Sequence, residues 1–570
     1  MNSKVKNFYS FFLHHMWILV VILSTLILLF ECGFLVFTTS NNSTMLGSAG
    51  GCDILFHTNR IQGIADAWRG SYLFSLVPIY PNAAYGYGYL SSYFYSDLFL
   101  YIPAIFVYFG MPVFSAYFIF MFAIGITMSL IMYNFCKKIF KSKNLGLLGS
   151  LLYISQNFII LDMFRRSALG EMLGLLFILI GFIGIYNMLY EDFSKPYILL
   201  IAMFGLTYSH LISLLLFTLA LIIIVLINCK KLFCKQFFIK VSIIFAIYLF
   251  LSIGFIIPFA RMMFSEKYLL SNPWTKAVWN QFNILDILLS ESGIGILTVI
   301  MLLVLRLIIK STDENRNRVK IIDKLLIFIG IIQLITTGLF PWGHPVIETT
   351  LGLIQYPWRL NMLTTPIVPI VLILLFKELA LIKPKFTLKR VSVVFIVLAV
   401  LINMWSTISY TGTEVVSFTY NNISMGEYLP LTDYDISEML DDYYASHSDV
   451  TNSEGLQVDY TRDENTTNIY FTSNELDDYY DVPLVYYIDY VATITNESGT
   501  HNLEIEKTEY GSIRVMTNGE VGDIAIKYQV PTIHKVPIIV SYVSIPLSII
   551  AFVVYETMKK RKAKMQISNL

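Results

Sequence analysis

Cysteine is scarce and scattered. Cys32, Cys52, Cys136, Cys229 and Cys234 are the five in the chain. They fall in an apolar run, a loop and the ends of other runs without metal-ligand spacing, so neither a disulfide framework nor a zinc site is expected. Charge is also sparse: 14% of residues are charged, and 40 basic against 40 acidic residues leave a formal net charge of +0. That balance averages regions of opposite sign and so says little by itself; no nucleic-acid partner is expected. Neither a Walker-type phosphate loop nor a paired-glycine dinucleotide fingerprint stands out, which argues against cytosolic nucleotide chemistry. The first apolar run, residues 16–37, lacks a small-residue cleavage site, so it reads as a retained membrane helix rather than a signal peptide.

Apolar residues are what the chain has instead. Hydrophobic residues make up 56% of its 570 positions and the mean hydropathy is +0.64. They come in blocks about twenty long, the length that crosses a bilayer core. The predicted fold class is a polytopic α-helical membrane protein of about 12 transmembrane helices, with an extracellular β-rich domain inserted before the last helix. Passes are expected near 16–37, 113–135, 145–163, 168–190, 196–209, 211–228, 241–260, 294–310, 325–341, 359–382, 391–409 and 537–556. The domains follow: a membrane domain at 1–409 with an external first loop at 38–112, an outer domain at 410–535, and a final helix and basic tail at 536–570.

Lys and Arg set the orientation, because short basic loops stay inside. Lys4 and Lys6, the loop Lys137, Lys138, Lys141 and Lys143, and the terminal cluster from Lys559 to Lys564 all read as cytoplasmic. The protein is thus expected to be multi-pass in the cell membrane with both termini cytoplasmic. Parity then makes residues 98–110 a short interfacial or re-entrant helix. Lys195 and Lys230, Lys231 and Lys235 split 196–228 into two passes with Tyr208-Ser209-His210 at an external tip. Glu31 in the first helix is costly unless it faces a protein interior or another helix.

The outer stretch 410–535 holds 23 acidic and five basic residues, a composition break that marks a separate soluble domain. Ile513 and Val515, then Asn518-Gly519, then Ile524, Ile526 and Tyr528 alternate as a β-hairpin would, and a small β-sandwich is expected. Asp441-Asp442-Tyr443-Tyr444 and Asp477-Asp478-Tyr479-Tyr480 suit either a solvated acidic face or a cradle for a sugar or cation.

Asp53, His57 and Arg60 fall at i, i+4 and i+7, so a helix starting near Cys52 puts a base, a proton shuttle and an anion holder on one face. An amphipathic interfacial helix that merely meets water would show the same spacing. The external edge of the membrane also collects Arg165, Arg166, Glu171, His210, Arg261, His344, Glu348 and Arg359. External loops should be poor in basic residues, and those near the membrane here are mostly Arg, whose planar fork suits a phosphate; each alone is equally a headgroup contact. The tyrosine-rich loop 78–101 reads as an interfacial aromatic belt or a sugar-stacking platform.

The order of Asp53, Tyr101-Ile102-Pro103, the basic inner loop and Arg165-Arg166-Ser167-Ala168-Leu169-Gly170-Glu171 resembles the type C glycosyltransferase superfamily. Asp53 with Phe56-His57 and Arg60-Ile61, then Ile354-Gln355-Tyr356-Pro357-Trp358-Arg359 and Gly426-Glu427-Tyr428-Leu429-Pro430, resemble more closely the bacterial 6-pyruvoyl-tetrahydropterin synthase-related integral membrane protein family. The resemblance implies transfer of a sugar from a polyprenyl-phosphate donor, held at the membrane lipid edge, to an extracellular glycan or glycolipid acceptor of the cell envelope. It casts Asp53 as base with His57 in support, Arg60, Arg165, Arg166 and Arg359 as donor-phosphate holders, and Glu171, His210 and His344 as supporting groups. Asp53 has no second Asp two positions away, where some type C enzymes do, so no metal ligand set is assigned and a divalent metal stays open as cofactor. A transporter of lipid-linked saccharide would more typically show internal repeats and broken helices. A non-enzymatic scaffold would need none of the Asp53 and Arg features.

Overall fold

The computed structural model describes residues 15–31, 43–44, 53–70, 78–269, 275–290, 292–382, 388–410, 416–417, 426–436, 438–463 and 467–568. Lys4, Lys6, Cys32, Cys52 and part of the first loop lie outside them. Cys136, Cys229 and Cys234 are free thiols.

Each expected apolar block is helical over its described residues. Among the described residues, four helices are long and apolar enough to cross a membrane: Val113–Phe140, Leu169–Tyr190, Lys235–Ser265 and Thr532–Met558. The count rises to six if each of two bent pairs is one span. Other blocks form shorter apolar helices, such as Tyr197–Thr207 and Leu211–Ile227. At 1.5 Å per residue an eleven-residue helix rises roughly 17 Å, about half of a hydrocarbon core. Among the described residues, length and composition alone therefore support four to six spans, and the other expected passes are shorter apolar helices.

The bent pairs matter most for the site. Lys143–Ile154 and Asn157–Arg165 meet at 54°, and Pro357–Thr364 and Val368–Leu381 meet at 48°. Pro366 explains the second break, since it has no N–H to continue the first helix. The first break carries Gln156, whose Nε2 donates to the Thr365 carbonyl at 2.7 Å, so each bend is tied to the other. The chain leaves the first pair through a π turn, Leu161–Arg165, and Ser167 then takes a positive φ of 52° to enter Leu169–Tyr190. Such π turns recur where a side chain must be re-aimed.

The outer domain corrects two expectations. Outside it, β1 (Ser43–Thr44) pairs with β2 (Val416–Ser417); its own strands are β3 (Thr451–Asn452), β4 (Tyr460–Arg462), β5 (Ile469–Thr472), β6 (Tyr479–Val485), β7 (Tyr490–Asn496), β8 (Gly499–Lys507), β9 (Ser512–Met516) and β10 (Asp523–Tyr528). They form one antiparallel sheet in the order β3-β6-β9-β8-β7-β10-β5-β4, a half-barrel rather than a two-sheet sandwich. The alternation at β9 and β10 does mark strands, but not a hairpin: β9 pairs with β6 and β8, and β10 with β5 and β7. Asn518 and Gly519 have the positive φ of a tight turn, yet Thr517 and Asn518 donate to the Asp478 carbonyl, not across to β10. Asp477 accepts from Tyr480 Oη at 2.8 Å within that same corner, so this acid–tyrosine motif builds a turn.

The aromatic loop is neither a belt nor an open platform. Tyr80, Tyr87, Tyr89, Tyr93 and Phe94 are all buried, because the loop is the seat of the outer domain. Tyr87 stacks on Tyr444 at 4.0 Å, its carbonyl accepts from Val485 N at 3.0 Å, and Tyr487 Oη accepts from Leu90 N. On the other flank Arg261, at the end of Lys235–Ser265, forms a bidentate pair with Asp489 at 2.6 and 2.8 Å. Arg261 thus anchors the outer domain rather than joining the membrane-edge set.

Candidate functional site

The helix expected near Cys52 runs over Ile54–Gly70. Asp53 directly precedes it and closes its first turn, its carbonyl accepting from His57 N at 3.1 Å. Asp53 N donates to the Arg166 carbonyl at 2.9 Å, and this backbone link fixes the carboxylate beside the Arg166 guanidinium, 3.9 Å away.

Arg166 is the hub. Its Nη1 lies 2.9 Å from both Asp162 Oδ1 and Glu171 Oε2, and its guanidinium lies over the Trp358 ring at 4.8 Å. Glu171 in turn meets Arg359 Nε at 2.9 Å. Arg359 Nη1 donates to the Ile354 carbonyl and to Gln355 Oε1 at 2.9 and 3.0 Å, and the Tyr356 ring lies under it at 4.9 Å. Asp162 and Glu171 are fully or nearly buried, whereas the Arg166 and Asp53 side chains keep 15% and 18% exposure. The cluster is closed at its Glu171 side and open at the Asp53–Arg166 pair. Burial of that pair raises the Asp53 carboxyl to about 6, against the pull of Arg166 and Arg359 and with a push from Glu171 and Glu427.

The i, i+4, i+7 spacing does not yield one acting face. Arg60 is buried and clamped by Asp97, with Nε and Nη2 at 3.1 and 2.6 Å from Oδ1 and Nη2 also donating to the Tyr95 and Ser96 carbonyls. As a phosphate holder it is corrected: it braces the aromatic loop, and one nitrogen, Nη1, stays unpaired. His57 is buried among Phe56 and Tyr95, and burial, then Arg60 and His210, hold its imidazole well below the usual range. A neutral imidazole without a bond to Asp53 is poorly placed as a shuttle for it.

Arg165 is also corrected. It is buried and turned away from its neighbour, with Nη2 3.5 Å from the Asn403 carbonyl, while Asn403 Nδ2 donates to Glu31 Oε1 at 3.1 Å. The expected interior partner of Glu31 is therefore Asn403, with Arg165 close by. His210 does join the cluster: its imidazole feels Glu171, Arg359 and Arg166, and burial lowers it to about 4. Its Nδ1 accepts from Ser213 N at 3.3 Å to cap Leu211–Ile227. His344 is exposed and caps Pro345–Leu351 through Val346 N; among the described residues it makes no contact with the cluster.

Sequence reasoning missed Asp162, Glu427 and Trp358 as members of the site. Asp162 stood four residues before Arg166, a helical ion-pair spacing, and the other two sat in motifs already singled out. Among the described residues no three His, Cys, Asp or Glu side chains gather as metal ligands; Asp53, Asp162 and Glu171 each face a guanidinium instead.

No family model matches the chain, and no curated protein matches it.

Proposed function

We propose that this is a type C membrane glycosyltransferase that moves a sugar from a polyprenyl-phosphate donor to an acceptor outside the membrane. The observation that carries the reading is the half-open pair of Asp53 and Arg166 at the mouth of an otherwise buried carboxylate–arginine cluster. A base and an anion holder 3.9 Å apart suit a displacement in which an acceptor oxygen attacks the anomeric carbon. As that bond forms, the carbon–oxygen bond to phosphate breaks, the acceptor proton goes to Asp53, and the phosphate leaves with the electron pair toward Arg166 and Arg359. A carboxyl raised to about 6 is a better base than an ordinary aspartate and is still ionised at neutral pH. In this reading the chain crosses the cell membrane about 12 times with both termini inside, which places the cluster at the outer leaflet where such a donor resides.

A second reading has one observation in its favour. Two bent helix pairs tied to each other are a feature of transporters for lipid-linked saccharides. A transfer assay separates the two. Purified protein given a panel of polyprenyl-phosphate sugars and envelope acceptors is expected to form a glycosidic product; movement of intact lipid-linked sugar between vesicle leaflets with no product would establish the transporter instead.

A further inference from the structure

Tyr95 comes from the aromatic loop rather than from any charged motif, yet its hydroxyl reaches the cluster. Its ring is held on several sides: the Arg60 guanidinium lies over it at 4.7 Å, Phe56 and His57 meet it edge-on at 5.8 Å, and His210 lies at 6.2 Å. The hydroxyl itself abuts Gly170. A Cβ built on that glycine would fall 1.5 Å from Tyr95 Oη, so only glycine leaves room for it there. Glu171 follows immediately, and the hydroxyl feels Asp53, Glu171, Arg359 and Arg60 together. Tyr95 is only partly buried, and no hydrogen bond joins its hydroxyl to a described residue.

The hydrogen-bond donors of the cluster are mostly spent. Arg166 Nη1 serves two carboxylates, and Arg359 Nε and Nη1 serve Glu171, Ile354 and Gln355. Arg166 Nη2 lies 3.9 Å from Asp53 Oδ2 without a hydrogen bond, and among the described residues Arg359 Nη2 and Tyr95 Oη make none either. Two cationic nitrogens and one neutral hydroxyl are thus uncommitted around Gly170-Glu171, since Glu171 pairs with both arginines, and such donors match an anion with several acceptor oxygens better than a sugar hydroxyl.

We infer that Tyr95 touches the donor directly, its hydroxyl donating to a phosphate oxygen beside Arg359 and Arg166, and that Gly170 exists to admit it. This rests on the reading of the cluster as a lipid-phosphate site. Burial raises the phenol above its usual range, so it remains a donor throughout the working pH.

The test is binding of a polyprenyl monophosphate and of the matching polyprenol to the full-length protein in lipid nanodiscs. The parent is expected to prefer the phosphate at least tenfold. Tyr95→Phe, which removes one oxygen, should lose about three- to tenfold of that preference at unchanged thermal stability, with polyprenol binding unaltered. Gly170→Ala should lose a similar share, because its methyl group displaces the hydroxyl that Tyr95→Phe deletes. If the parent prefers the phosphate and Tyr95→Phe does too by the same factor, the inference fails while the functional reading stands. A parent without any preference would sink both.

Discussion

Arg165 and Arg166 are adjacent in the chain and opposite in circumstance. Arg165 points into the helix interior toward Asn403 and the neighbourhood of Glu31. Arg166 points into the cluster of Asp53, Asp162 and Glu171, where solvent still reaches the Asp53 side. Consecutive helical side chains already point about 100° apart, and here the chain leaves the π turn Leu161–Arg165 at Arg166, just before Ser167 takes a positive φ. Both arginines sit beside buried carboxylates, but only one stands beside a carboxylate that a substrate can reach. A charge near a membrane edge is thus not evidence of function by itself; an accessible, incompletely satisfied partner is.

The sharpest way to break this comparison is at Asp53. Asp53→Asn keeps the shape and the backbone link to Arg166 but removes the basicity, and general-base catalysis is typically worth about a hundredfold to ten-thousandfold. Transfer by the variant is expected to fall at least a hundredfold with donor binding retained, read by product formation beside a thermal melt. Retained transfer would remove Asp53 from the reaction.

Next in size is the arginine contrast. Arg359→Lys and Arg166→Lys keep the charge but lose the planar fork, and should each weaken polyprenyl-phosphate binding by about 1–3 kcal/mol. Arg165→Lys should leave donor binding unchanged and lower the melting temperature instead, because its partners are interior. Equal binding losses at Arg165 and Arg359 would erase the distinction. The smallest effect is expected for His57→Gln, which should slow transfer less than tenfold, since the buried imidazole is neutral and has no bond to Asp53.

The sequence made the helical blocks legible because their signal is local: a run of apolar residues is helical wherever it lies. It also pointed to Asp53, Arg166, Glu171 and Arg359, which the fold brings together from residues 53 to 359. What it could not reveal was direction. Spacing put Arg60 on the face of Asp53, but Asp97, 37 residues away, captures it. The charges of Arg165 and Arg166 looked equivalent, but the fold sends one toward Asn403 and the other toward Asp162 and Glu171. Strand alternation at β9 and β10 was equally legible, while strand order depends on long-range pairing that a turn dipeptide does not encode. The role of the tyrosine loop was hidden for the same reason, since its partners Tyr444, Val485 and Tyr487 lie some 360 to 400 residues later.

The pH dependence of sugar transfer under single-turnover conditions tests the central claim most directly. Asp53 must be deprotonated to accept the acceptor proton, and its carboxyl is raised to about 6. The rate should therefore be level above about pH 7 and fall as pH drops through about 6, approaching tenfold per pH unit, with the protein still folded. Asp53→Asn should show a low rate without that inflection. A parent profile that stays flat from pH 5 to pH 8, or an inflection near 6 that persists in Asp53→Asn, would contradict the assignment of Asp53 as the base.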